Sequence, residues 1–265
     1  MKIGIIGASG RMGQTLVRGV ITHPDCELSG GIERVGNSNI GLDIAKVAGL
    51  EPIGLEITTS AEDLIRNSDA IIDFTAPEAT LEIAKITARM NKVHVIGTTG
   101  FTNEQEAELK EYAKDTTIIW SYNMSVGINI LLGLVEKAAS ILDDSVDIEI
   151  VEMHHKHKVD APSGTAIALG RAAAEGRGVA FDDVKNLSRE GIVGERTQGE
   201  IGFATLRGGE VIGDHTVMFA SGNDRIELTH KASDRSIFAS GAIRAALWGK
   251  DKSTGLFTMK DVLGL

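Results

Sequence analysis

Lys2-Ile3-Gly4-Ile5-Ile6-Gly7-Ala8-Ser9-Gly10-Arg11-Met12-Gly13 decides the fold of this chain. The first five residues are apolar and β-branched enough to form a buried strand. The glycines that follow at 7, 10 and 13 let the backbone turn tightly and come close to a pyrophosphate. The helix that then opens aims free N–H groups and the positive end of its dipole at that charge. The spacing is G-x-x-G-x-x-G, a variant of the dinucleotide fingerprint, and its strand–turn–helix setting favours a dinucleotide site over a plain βα turn. Gly7, Ala8, Ser9, Gly10, Arg11 and Met12 are therefore expected to line a cofactor.

Outward from this stretch, strands and helices alternate as far as Asn123. Lys2–Ile6, Glu27–Ile32, Ala70–Phe74, Val93–Ile96 and Thr117–Trp120 read as strands. Met12–Thr22, Pro77–Met90 and Thr102–Lys114 read as helices, the last with a Thr102/Gln105 capping box. Such alternation predicts an α/β fold with a Rossmann-type, doubly wound parallel sheet. Glu33-Arg34 follows the last glycine by about 20 residues, where an acidic group can accept from the adenosine ribose and an arginine can hold a 2′-phosphate. Having both suggests that NADH and NADPH are each accepted; an exposed ion pair is the plainer alternative. Gly97-Thr98-Thr99 and Ser121-Tyr122-Asn123-Met124 end strands at the carboxyl edge of the sheet, where ligands of such folds bind. Thr98 and Thr99 offer polar contacts near a nicotinamide, although polar turns look the same. Asn123 could donate to a carboxamide or cap the next helix.

After Ser125 the pattern changes to α+β. A long apolar helix (Val126–Ile141) leads to an alternating strand, Val146–Met153, and a helix runs from Ser163 to Glu175. Ile201–Arg207, Glu210–Ala220 and Arg225–Lys231 read as strands joined by Gly208-Gly209 and Ser221-Gly222-Asn223-Asp224. A largely antiparallel second sheet is expected. Ser236–Trp248 is again helical.

The second informative stretch is His154-His155-Lys156-His157-Lys158. Three imidazoles and two ammonium groups fall within five residues of a protein whose formal net charge is −10. Crowded like charges lower the pKa of each histidine, so the arrangement suits an anion or a proton transfer near neutral pH. Ser163-Gly164-Thr165 then opens a helix whose N-terminus can take a carboxylate, or which Ser163 simply caps. A small substrate with two carboxylates fits both features. A solvated basic loop is the bland alternative. No metal is expected, because no cysteine lies nearby and the interleaved lysines oppose a dication.

Composition narrows the remaining classes. With 42% hydrophobic and 24% charged residues, the chain is an ordinary globular protein of 265 residues. Its pI near 5.2 and scarce aromatics argue against nucleic acid. No apolar run reaches membrane-spanning length. The one cysteine, Cys26, excludes an internal disulfide framework and fits a reducing compartment. Met1 leads directly into the first strand with no signal-like leader, so a cytoplasmic location is expected.

Across its whole length the chain resembles the 4-hydroxy-tetrahydrodipicolinate reductases, also called dihydrodipicolinate reductases, of the diaminopimelate route to lysine. Glu152–Ala166 carries the most specific likeness. Gly7–Gly13, Gly97–Gly100, Arg207-Gly208-Gly209 with His215, and the tail Gly255–Leu265 support it. The resemblance implies NAD(P)H-dependent reduction of the cyclic imine, with hydride to C4 and loss of the 4-hydroxyl as water. His154 would be the general acid/base, and Lys158 would bind and polarise the substrate. His155, Gly164 and Thr165 would hold its carboxylates. On the cofactor side it implies Gly7 to Met12, Glu33, Arg34, Gly97 to Thr99 and Ser121 to Met124, with Met124 standing where phenylalanine is frequent. It further implies a dinucleotide domain over 1–125 and 235–265, an inserted substrate-binding and oligomerisation domain over 126–234, and a homotetramer joined through the substrate-domain sheets. Another small-substrate dehydrogenase would explain the glycine loop but not the basic island. A nucleotide sensor without turnover would leave the second half poor in convergent titratable groups.

Overall fold

The computed structural model describes residues 1–265, which divide into two compact units. Met1–Val126 with Arg235–Gly264 forms the first, and Gly127–Asp234 with Leu265 the second.

In the first unit the order is β1 (Lys2–Ile6), α1 (Arg11–Thr22), β2 (Glu27–Ile32), α2 (Ile44–Val47), α3 (Ala61–Arg66), β3 (Ala70–Asp73), α4 (Pro77–Met90), β4 (Val93–Ile96), α5 (Asn103–Tyr112) and β5 (Thr117–Trp120). Five of these strands stand in a six-stranded, all-parallel sheet with β2 at one edge, followed by β1, β3, β4 and β5. Strand alternation sorts their side chains. Ile3, Ile5, Ile72, Val95 and Ile119 pack in one core with Leu16, Val17 and Val20 of α1. Ile6 and Ile71 meet Leu64, Ile65 and Ile83, while Ile96, Ile118 and Trp120 meet Ala84 and Leu109. The near-continuous apolar strands are thus explained by burial on both faces. The Thr102/Gln105 capping box forms as expected.

The second unit contains α6 (Val126–Ile141), β6 (Asp147–His154), α7 (Gly164–Arg177), α8 (Phe181–Val184), β7 (Lys185–Asn186), β8 (Ile201–Arg207), β9 (Gly213–Ala220) and β10 (Arg225–Ala232). Its sheet has the order β10-β9-β6-β8-β7 and is mixed. The antiparallel expectation holds for β10–β9 and β9–β6, whereas β6–β8 and β8–β7 are parallel. The reason is the crossover through α7, which returns the chain to the starting edge. Gly208-Gly209 accordingly does not close a hairpin, because β8 and β9 flank β6 on opposite sides. That connection crosses the end of β6, where the Gly208 N–H donates to the His154 carbonyl and the Lys156 N–H to that of Gly209. Ile148, Ile150, Ile201, Phe203, Val217 and Phe219 form the core face beneath α6 and α7.

The chain then re-enters the first unit. α9 (Ser236–Gly249) places Ala239, Ala242, Ile243, Ala245 and Ala246 in the core that α1 shares, β11 (Gly255–Phe257) pairs with β5 as the last strand of the first sheet, and α10 (Met259–Leu263) closes the chain. β11, α10 and the short helices α2, α3 and α8 carry too little periodicity to be read from sequence. No helix is long and apolar enough to cross a membrane.

Candidate active site

In the first unit the glycines of the opening stretch meet steric demands. Gly7 has φ +68°, and a Cβ on Gly13 would lie 2.1 Å from the Gly7 carbonyl oxygen. Only glycine lets α1 start this close to the end of β1. Gly10 caps α1 without a side-chain hydrogen bond, so no side chain occupies the helix N-terminus. The Ser9 N–H (3.0 Å) and Oγ (2.7 Å) both donate to Oε1 of Glu33, which joins the glycine loop to the end of β2. Arg34 is exposed and begins an open recess continued by Val35, Gly36, Asn37, Ser38 and Asn39. A cradle that a Cβ would fill, a helix start and an acidic group with an arginine beyond it fit a dinucleotide.

Other expected cofactor residues divide by environment. A Cβ on Gly97 would strike the Phe74 ring at 2.2 Å. The Thr98 hydroxyl is buried, accepting from the Thr75 N–H (3.1 Å) and the Thr80 hydroxyl (2.9 Å), so it fastens strand ends together. Thr99 is exposed. The Ser121 Oγ accepts from the Met259 N–H at 2.7 Å. Tyr122 is exposed and donates to Glu106, and Asn123 Oδ1 accepts from the Ser125 N–H at 2.8 Å, at the start of α6. Met124 and Ala8 belong to the core, at 1% exposure each.

The second unit builds its site from side chains. The alternation of β6 sends Glu152 and His154, two residues apart, to the same buried face. His154 Nδ1 stands 2.5 Å from Glu152 Oε2. Arg207, the register partner of His154 on β8, donates to Glu152 through both terminal nitrogens, at 2.8 Å to Oε2 and 2.9 Å to Oε1. The Ser163 N–H completes the carboxylate at 3.0 Å to Oε1. Ser163 also caps α7, accepting from the Ala166 N–H, and its Oγ lies 3.1 Å from Nε2 of His215 on β9. The His154 and His215 rings meet edge to face with centroids 5.1 Å apart. A Cβ on Gly213 would come within 2.9 Å of His154 Nε2, so the glycine leaves room for that nitrogen. Lys158 Nζ pairs with Asp160 at 2.8 Å, and Arg207 also donates to the Asp160 carbonyl at 2.6 Å, which ties the basic loop to β8.

Burial is the first cause of the histidine shifts. It lowers the pKa of His154, opposed by Glu152 and reinforced by Lys158 and Arg207. It drives His215 down to about 4, with the His154 charge second. The like-charge argument from sequence is thus a secondary contribution. Burial would raise Glu152, but Arg207, His154 and the Ser163 N–H outweigh it and hold its carboxyl below the usual range.

Residues 1–124 match the family described as Dihydrodipicolinate reductase, N-terminus, and residues 127–263 match Dihydrodipicolinate reductase, C-terminus. The chain belongs to the dihydrodipicolinate reductase family. It is 55% identical to the 4-hydroxy-tetrahydrodipicolinate reductase of Parvibaculum lavamentivorans over 100% of this chain and 98% of that one, and 51% identical to that of Ruegeria pomeroyi over 99% and 98%. A solved structure of a dipicolinate-bound dihydrodipicolinate reductase from Paenisporosarcina sp. TG-14 superposes with a TM-score of 0.78 at 25% identity, covering 97% of both chains. Membership makes this chain an NAD(P)H-dependent oxidoreductase.

Among the expected reductase residues, His154 and Lys158 lie on the strand end and the loop that leads to α7. Gly164 is exposed with open space where a Cβ would stand, and Thr165 follows it in the first turn. His155 keeps a buried Nδ1 without a partner. His157 and Lys156 instead face solvent beside Glu210. Sequence reading offered the capping by Ser163 but missed its bond to Glu152 and the roles of Glu152, Arg207 and His215. The i, i+2 spacing of Glu152 and His154 on an alternating strand was a legible signal for the first. Arg207 and His215 arrive through sheet register, which spacing does not report.

Proposed function

We propose that the enzyme reduces 4-hydroxy-tetrahydrodipicolinate to tetrahydrodipicolinate in the diaminopimelate route to lysine. The observation that carries this reading is a buried histidine, His154, fixed at a strand end with Lys158 and the start of α7 in the loop that follows it. Gly7 to Met12 and Gly97 to Thr99 line the nucleotide, with Glu33 and Arg34 at its adenosine end and Ser121 to Met124 toward its nicotinamide end. When bound, the nicotinamide would supply a hydride to C4 of the conjugated imine left once the 4-hydroxyl and a C5 proton have departed as water. His154 then protonates the resulting enamine. Lys158 faces a substrate carboxylate and polarises the imine, while His155 and the N–H groups of Gly164 and Thr165 hold the carboxylates at the helix N-terminus. This assigns 1–125 with 235–265 to the dinucleotide and 126–234 to substrate and assembly.

Four copies associate in the cytoplasm through the second sheet. Its uncovered face carries Val151, Met153, Ala204, Leu206 and Met218, with Leu206 49% exposed, an apolar strip suited to burial against another copy.

Oxidation of NADH or NADPH is followed with freshly condensed pyruvate and aspartate semialdehyde. Substrate-dependent loss of absorbance is expected, and none from folded protein would overturn the reading. His154→Gln should lower kcat by roughly 10²–10⁴-fold with a smaller change in KM. Lys158→Ala should also weaken competition by pyridine-2,6-dicarboxylate.

A further inference from the structure

The geometry points to Glu152 as the residue that positions His154, fixing its tautomer through Nδ1 and tying it by one carboxylate to the helix start at Ser163. The inference rests on the proposed role of His154 and adds how that role is prepared.

Glu152 is 1% exposed, and both of its oxygens are fully engaged. Oε2 receives His154 Nδ1 and one Arg207 nitrogen, and Oε1 receives the other Arg207 nitrogen and the Ser163 N–H. An ionised carboxylate only accepts hydrogen bonds, so the proton between Glu152 and His154 resides on Nδ1. Nε2 is then the nitrogen through which His154 exchanges its proton with substrate, and the ring cannot flip without breaking the shortest contact in the cluster. Arg207 keeps Glu152 ionised, because its bidentate fork compensates the burial of the charge. Arg207 also holds the Asp160 carbonyl, so the same ion pair anchors both ends of the loop that carries Lys158. Glu152 offsets the pKa depression that burial imposes on His154, against the adverse charges of Lys158 and Arg207. His215, the remaining titratable group packed against the ring, stays neutral. A proton donor in an otherwise depressing pocket thereby stays protonated to higher pH.

Imidazole ¹⁵N NMR of the wild-type enzyme, above the titration of His154, should show Nδ1–H with a bare Nε2. An Nε2–H tautomer would overturn the inference, whatever the activity. Glu152→Gln should lower the melting temperature, because Arg207 loses its partner, and, assayed below that melting with NADH affinity unchanged, should lower kcat roughly 10²-fold. It should also move the alkaline limb of its pH profile about one unit toward acid, because the variant loses the charge that favours the imidazolium. A purely structural role would depress the whole profile without moving its limb. In a His154→Gln background the same substitution should add less than about threefold, since it acts through a group already removed. Full activity in His154→Gln alone would instead defeat the parent reading and leave the tautomer result standing.

Discussion

The glycine loop of the first unit and the Glu152 cluster of the second are both built sites, but they are made of different material. After β1 the chain offers backbone: Gly7, Gly10 and Gly13 clear space, and a helix start supplies the N–H groups. Around β6 it offers side chains, with Glu152 and His154 from one strand, Arg207 and His215 from its two neighbours and Ser163 from the next helix. A backbone site tolerates changes of side chain and fails when a Cβ is added. A side-chain site tolerates added bulk at open positions and fails when a charge is removed.

The sharpest break in this comparison comes from α9, which belongs to the first unit although it follows the second in sequence. A chain ending at Asp234 should lose the first unit as a folded body. NADH binding should vanish while secondary structure from the second unit persists, and normal NADH binding by that chain would contradict the shared core. Next in size, Gly13→Ala should cost about 3 kcal/mol, the upper end for overpacking, because its neighbour is rigid backbone 2.1 Å away. Calorimetry and NADH titration should both register the loss, with pyridine-2,6-dicarboxylate binding unchanged.

His215 tests the second unit through pH. Its folded pKa of about 4 lies below the ordinary 6.5, so the unfolded chain takes up the proton first on acidification. The stabilisation is full above about pH 6.5 and fades as pH falls toward 4, by about 3 kcal/mol in all. Denaturant unfolding of His215→Gln across that window should show a flatter curve than the wild type. The smallest effect belongs to exposed Arg34. Arg34→Ala should weaken NADPH by about 1–2 kcal/mol and leave NADH nearly unchanged, and equal losses would remove it from the 2′-phosphate.

The same contrast explains what could be read in advance. The five strands of the first half were legible within a residue of their ends, because all but the glycine-rich β2 are short, largely apolar runs bounded by glycine, proline or polar turns. The glycine loop was legible because its chemistry is contiguous. In the second half Gly208-Gly209 read as a hairpin turn, whereas its partners are the backbones of His154 and Lys156. The side chains of Thr98 and Met124 fill the interior, which leaves their backbone for the cofactor contact that the sequence suggested. Local sequence reports which residues sit side by side along the chain. It does not report register between strands, which is what assembles Arg207, His215 and Glu152.

The return of the chain through α9, β11 and α10 also sets an order of events during synthesis. Domains generally fold as units as they leave the ribosome, the N-terminal one first. Here the N-terminal strands emerge early and must wait, because the helix that completes their core and the strand that completes their sheet are made last. The inner unit has all of its residues once Asp234 has emerged, apart from Leu265, and can close while the outer one is still open. A chain halted with Asp234 emerged but α9 still sequestered would therefore carry a closed inner unit and an outer one still exposing its apolar strands, the state in which this chain is most in need of a chaperone.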